Sequence, residues 1–362
     1  MIRRFGHFAF GYWSGPTRRT AWFLSLGFLI CLIANMVVAL AVNRWTKDFF
    51  DALQLREMSS IVQNIERLGL LAIGVALAAI ATIQFRMRLQ LGWRMWLTSS
   101  LVERWMKISL RPDAAISQLI DNPEARIADD GRLTAELFVD LAGGVINIFL
   151  VSSSFILVLW QVGGSMTISG VTVPGYLVWF VIMYSCLTSL GMFMLGRPLV
   201  ASVEAKAEAE GNFRYALSIA REKSEAESDA RDEKNDDRDF RSSLYRLATK
   251  WMLVIRGQTK IVLLSSANNL LAPAVPLVLC APKYLGGEMT LGDLMQAAAA
   301  FLQVQVSLNW LADNALSIAN WSASAHRVAA LDHAIENWAL TGEERGLEDI
   351  AGGKSAEDRT NV

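Results

Sequence analysis

Few residues in this chain have the types and spacing that chemistry requires. Gly352-Gly353-Lys354-Ser355 resembles the end of a phosphate-binding loop, but that pattern also needs glycine at position 348, where Glu348 stands, and no apolar strand precedes it. His326 and His333 are seven residues apart with no third ligand nearby, so they do not specify a metal. Cys31, Cys186 and Cys280 sit inside apolar runs without ligand-like spacing and read as buried thiols. No nucleophile elbow or paired catalytic motif occurs. No enzyme activity, metal or cofactor is expected.

The elements around these residues are six apolar runs, near Ala21 to Val42, Leu68 to Phe85, Leu137 to Trp160, Gly175 to Gly196, Ile261 to Pro282 and Leu291 to Ile318. Each approaches the roughly 20 residues that cross hydrocarbon. Hydrophobic residues make up 53% of the chain and only 19% are charged, with a mean hydropathy of +0.31. An ordinary soluble domain carries about 25% charged residues. The expected class is therefore an all-α membrane protein of six transmembrane helices, with membrane lipid as its main partner and no nucleic-acid footprint. Ala21 to Val42 is longer than a signal-peptide core and no small-residue cleavage site follows, so it reads as a retained span.

Of the 34 Lys and Arg residues, 29 fall in the N-terminal segment, the second and fourth connections and the tail. The positive-inside rule places these on the cytoplasmic side and predicts that both termini are cytoplasmic. The two long connections on that side, about 86–135 and 197–260, are poor in Pro and Gly and read as helical extensions of the spans. Within the first, Trp93, Trp96, Leu97, Leu101 and Trp105 recur at helical spacing, the mark of a packed face. The densely charged 228–239 stretch reads as a solvated turn. Outside, Asn43 to Arg67 reads as an interfacial helix. The expected organisation is a segment 1–20, a transmembrane domain 21–332 and a polar tail 333–362.

Polar residues interrupt the runs. At about 100° per residue, Gln305, Asn309, Asp313 and Asn320 share an arc of roughly 80°, with Gln296 and Gln303 beside it. Asp140 and Asn147 lie in the third run, Glu136 just before it, and Asn268 in the fifth. A carboxylate facing lipid at mid-depth costs about 2.5 to 3.5 kcal/mol, so this stripe faces protein or water. Two readings stay open: the lining of a solute pathway, or hydrogen-bonded packing between helices. Pro273, Pro276 and Pro282 are expected to kink or break the fifth helix.

Four segments carry a resemblance to known proteins: 43–54 (NRWTKDFFDALQ), 121–130 (DNPEARIADD), 210–215 (EGNFRY) and 286–296 (GGEMTLGDLMQ). Together they resemble the membrane domain of the SbmA/BacA-like transporters and of the half-size ABC transporters of the YddA type, over about residues 20–332. The resemblance implies an ABC-exporter-like (type 1) transmembrane domain, a homodimer with exchanged spans, and residence in a bacterial inner membrane. It also implies docking of an ATPase on the long cytoplasmic loops, at Asp121, Asn122, Pro123, Glu124 and Arg126 and at about 221–241. Capping of the intracellular helices is the plainer role for the first of these.

In the YddA type a fused ATPase begins near residue 341, and this chain is expected to lack it. The resemblance then implies a transporter moving peptides or other bulky hydrophilic solutes by alternating access, driven by a proton gradient. Asp140, Glu204, Glu208, Glu210 and Asp313 are the carboxylates it would protonate, Glu210 by its match to the family segment. The alternatives are a permease subunit served by a separate ABC ATPase chain, and a non-transporting membrane adaptor.

Overall fold

A peptide group in hydrocarbon has no water to bond, so a chain this apolar must satisfy its backbone within helices. The computed structural model describes residues 10–109, 122–168, 171–225 and 230–357. After a single turn, α1 (Gly11–Ser14), long helices follow: α2 (Arg18–Leu55), α3 (Met58–Ser109), a short α4 (Pro123–Ala125) that continues through the π-helical segment Arg126–Asp130 into α5 (Gly131–Gly163), α6 (Tyr176–Glu225), α7 (Ala230–Leu285), α8 (Leu291–Asp313) and α9 (Ala315–Glu357). Among the described residues, five stretches are long and apolar enough to cross a membrane: Arg18–Leu55, Met58–Lys107, Pro123–Gly163, Tyr176–Ile219 and Phe240–Leu285. The sixth run yields α8, whose amides dilute its hydropathy. At 1.5 Å per residue, the 52 residues of α3 extend about 78 Å, far beyond a hydrocarbon core of about 30 Å.

Several expectations are corrected. The interfacial helix proposed for 43–67 is not separate: nothing between Val42 and Leu55 breaks a helix, so α2 runs on and the turn comes at Arg56, which takes a positive φ of 54°. Of the kink or break expected at the α7 prolines, the break does not occur: the helix runs on through Pro273, Pro276 and Pro282. The expected turn at 228–239 is helical from Ala230, where the chain carries no Gly or Pro to stop a helix. A one-residue interruption at Asn314 divides the sixth run, which places Asn320 in α9 rather than on the α8 stripe. An antiparallel hairpin, β1 (Ser165–Ile168) with β2 (Val171–Pro174), joins α5 to α6, with Ser165 opposite Pro174 and Ile168 opposite Val171.

The chain divides into two units. The first comprises Met1–Trp45, Arg56–Ser154 and Asp313–Val362. Its core gathers Tyr12 of α1, Leu24 and Phe28 of α2, Trp93, Leu97 and Leu101 of α3, Ala135 and Val139 of α5, and Val328 and Leu331 of α9. The aromatic spacing on α3 thus serves as a packing face: Trp93 is 1% exposed and Leu97 and Leu101 are fully buried. Gly27 lets α2 and α3 approach, since a Cβ there would overlap the Phe85 ring. Inside the apolar runs, Asn35 Nδ2 donates to Thr82 Oγ1 at 2.6 Å, a polar tie between α2 and α3.

The second unit comprises Thr46–Leu55 and Phe155–Ala312. Helices α6 and α7 pair along their lengths, with Tyr176 Oη donating to the Leu279 carbonyl at 3.3 Å. Lys283 Nζ donates to the Gly163 carbonyl at 2.7 Å. The first turn of α8 is held by the end of α2. Gly292 N donates to Asp51 Oδ1 at 2.9 Å, Leu291 N to Gln54 Oε1 at 2.7 Å, and Lys47 Nζ pairs with Asp293 at 2.6 Å. Glycine is required at 292 because a Cβ would run into the Lys47 carbonyl and the Asp51 carboxylate.

Leu97 lies past the apolar run of α3, so its burial follows the rules of a water-solvated core. Leu97→Ala is expected to destabilise the first unit by about 2 to 5 kcal/mol. Thermal unfolding in detergent, followed by tryptophan fluorescence, measures it; an unchanged midpoint would show that this face is not packed.

Candidate functional site

The best-built polar arrangement outside the apolar runs starts at Asn122. That residue takes the left-handed conformation (φ 50°, ψ 63°), Pro123 follows at the first helical position with its ring buried, and the backbone widens into a π-turn over Arg126–Asp130. Ile127 and Asp130 point inward, while Glu124, Ala128 and Asp129 are exposed. Asp130 is gripped bidentately by Arg327 of α9, Nε to Oδ2 at 2.7 Å and Nη2 to Oδ1 at 2.6 Å. Arg327 Nη2 also donates to Ser324 Oγ at 3.1 Å. Burial works against the Asp130 charge, yet hydrogen bonding to Arg327 and Ser324 outweighs it and holds the carboxyl below its ordinary value. A second tie, Arg104 Nη1 to Asp332 Oδ1 at 2.6 Å, joins α3 to α9. The segment therefore presents a small acidic surface on a rigid mount. Of the residues expected to dock an ATPase, Asn122 and Glu124 are exposed, Arg126 is half-buried and Pro123 is buried; Asp121 lies outside the described residues.

Where the apolar runs of α3 and α5 meet their polar extensions, two polar triplets face each other in the first unit. Arg86, Gln90 and Arg94 on α3 and Arg132, Glu136 and Asp140 on α5 each recur every four residues. Arg86 pairs with Asp140 at 3.3 Å, Gln90 Nε2 donates to Asp140 Oδ1 at 2.9 Å and to the Glu136 carbonyl at 3.0 Å, and Arg94 and Arg132 flank Glu136 at 3.5 and 3.3 Å. Of these, Gln90, Arg94, Glu136 and Asp140 line a cavity of about 470 Å³. Sequence reasoning singled out Asp140 and missed its partners. The signal was the same four-residue period in two helices of opposite direction.

The amides of the spans form bonds between helices in the second unit. Tyr184 Oη of α6 and Gln305 Nε2 of α8 both donate to Asn268 Oδ1 of α7, at 2.9 and 3.2 Å, and Ser189 Oγ donates to Asn309 Oδ1 at 2.9 Å. For Gln305, Asn309 and Asn268 the packing reading therefore has direct contacts behind it. Gln296 is buried, Gln303 exposed and Asn147 half-buried, while Asp313 and Asn320 are exposed. On α6, Glu204 and Glu208 are exposed and Glu210 is half-buried. Among the described residues no group of His, Cys, Asp and Glu is placed to hold a metal.

Long helices with apolar stretches sufficient to cross a membrane define a multi-pass membrane domain. The chain belongs to the ABC transporter transmembrane region 2 family, which matches residues 14–285. It is 27% identical over 305 residues to an uncharacterized ABC transporter ATP-binding protein of Haemophilus influenzae, covering 81% of this chain and 50% of that protein. It is 24% identical over 338 residues to the inner membrane ABC transporter ATP-binding protein YddA of Escherichia coli, covering 91% and 59%. To ABC transporter D family member 2, chloroplastic, of Arabidopsis thaliana it is 22% identical over 342 residues, covering 93% and 46%. The chain spans about half the length of the curated relatives it matches.

The folded value of Asp130 lies below the unfolded one, near 3.8. The stability contributed by its pair with Arg327 is therefore fully present above about pH 4 and is lost as pH falls through the lowered value. Asp130→Asn is expected to cost about 1 to 3 kcal/mol at neutral pH. It should also flatten the acid limb of a plot of Tm against pH. A mutant whose acid limb matches the wild type would refute the assignment.

Proposed function

We propose that this chain is the translocation domain of a bacterial inner-membrane transporter. In this reading two copies form a domain-swapped dimer with six spans each, α8 supplying the sixth, and both termini are cytoplasmic. The dimer moves peptides or other bulky hydrophilic solutes by alternating access, and an ATPase domain, on this polypeptide or on another chain, drives it. The observation that carries the reading is the Asp130–Arg327 clamp. It fastens the Glu124–Asp129 turn, whose two end carboxylates are exposed, to α9 on one side and to the start of α5 on the other, so a push on the turn moves a spanning helix without being absorbed by local flexing. The ATP-binding names of the relatives support this energy source, and the resemblance to SbmA/BacA-like transporters supplies the solute class.

A second reading rests on Asp140. It sits at the edge of an apolar run between Arg86 and Gln90, a setting suited to a carboxylate that exchanges a proton as its partners separate. In this reading a proton gradient drives the same dimer.

The test is uptake of a labelled peptide into proteoliposomes, with ATP and the cognate ATPase present or with a proton gradient alone. ATP-dependent flux that survives a protonophore supports the first reading; gradient-driven flux without ATP replaces it with the second. No flux under either, with partner binding retained, identifies an adaptor. In the ATP-driven case, reversing the exposed charges with Glu124→Lys and Asp129→Lys is expected to lower flux roughly tenfold, within a coupling free energy of about 1 to 3 kcal/mol. Tm should be unchanged.

A further inference from the structure

The cavity beside the Arg86–Asp140 pair has a composition that helix packing does not require. One face of α3 runs into it from the apolar segment: Leu77, Ile80, Gln84, Met87, Arg88 and Leu91 fall within about 100° of arc. Leu77, Ile80, Met87 and Leu91 are exposed large apolar side chains, and Arg88, also exposed, has no carboxylate partner among the described residues. Gln84, Arg88 and Arg94 line the cavity. The surrounding charges do not balance. The guanidinium groups of Arg86, Arg88, Arg94 and Arg132 stand around the carboxylates of Glu136 and Asp140, and the pairings consume Arg86 on Asp140 and Arg94 and Arg132 on Glu136. The excess is positive and is centred on Arg88.

We propose that this cavity binds the phosphate-bearing head group of an anionic phospholipid. Arg88 receives the phosphate, Gln84 donates a hydrogen bond to it, and an acyl chain lies along Ile80 and Leu77. The position matches such a ligand, because Arg86 follows Phe85 at the end of the apolar run and Asp140 lies at the start of the next, so the cavity stands at head-group depth. Basic pockets between spanning helices at that depth take anionic lipid head groups. The apolar track distinguishes the ligand from free phosphate, which has nothing to place against Leu77 and Ile80. The inference requires only that α3 and α5 span the membrane, and it is independent of the energy source.

The experiment is native mass spectrometry of the protein released from bilayers of phosphatidylglycerol and phosphatidylcholine. The wild type is expected to retain phosphatidylglycerol through delipidation that strips phosphatidylcholine. Arg88→Gln should reduce that retention about fivefold, the effect of one basic side chain near an anionic membrane surface. Arg88→Lys should keep most of it, and Arg197→Gln, a control at another basic end of a span, should leave it unchanged. Equal retention by Arg88→Gln and wild type would overturn the proposal, as would equal losses in Arg88→Gln and Arg197→Gln. Displacement of the lipid by millimolar inorganic phosphate would reassign the cavity to a free anion.

Discussion

Hydrocarbon offers no partner to a peptide N–H, and most of this architecture follows from that constraint. Helices must be unbroken where they cross, and once a helix has been started, stopping it at the membrane surface needs a specific signal. Between Val42 and Leu55 there is no Gly or Pro, and between Phe85 and Ser109 only the single Gly92, too little to supply one. The spans therefore continue into water, and the regions beyond the bilayer are built from the same helices as the regions within it. The packed face of Trp93, Leu97 and Leu101 extends a spanning helix rather than belonging to a separate domain. Motion of one end of such a helix is transmitted to the other, the mechanical property a membrane transporter needs.

Polar groups are distributed according to what surrounds them. Within the apolar runs several amides and hydroxyls close on each other: Asn35 with Thr82 in the first unit, Asn268 with Tyr184 and Gln305 in the second. Where the runs end, charges take over, as in the facing triplets of α3 and α5. Beyond the runs stands the bidentate Asp130–Arg327 pair, where water is near enough to relieve part of the desolvation cost. Amides in lipid, mixed charges at the head groups and ion pairs beyond follow the falling cost of charge along the membrane normal.

The helices were legible because each needs about 20 apolar residues and leaves that many in a row. The α3 packing face was legible from its period. What escaped detection involved partners rather than patterns. Nothing in the sequence singles out Arg86, Gln90 and Arg94 until the antiparallel α5 sets Arg132, Glu136 and Asp140 against them. Asn309 and Gln305 were visible as a stripe, but only the hydroxyl of Ser189 and the amide of Asn268 show what they bond. The π-turn at Arg126–Asp130 has no compositional mark, since every residue in it suits an α-helix equally well. The prolines of α7 do not break the helix, although propensity measured in water assigns each a large penalty.

The start of α8 has a consequence of its own. Its first peptide donors are satisfied not by local capping groups alone but by Asp51 and Gln54, borrowed from the end of a helix some 240 positions earlier in the chain. Sliding or tilting α8 away from that neighbour would strand two N–H groups together and break the Lys47–Asp293 pair in the same step. The two elements are thus fastened as one lever arm, and any rearrangement of the second unit must pivot around this joint rather than through it.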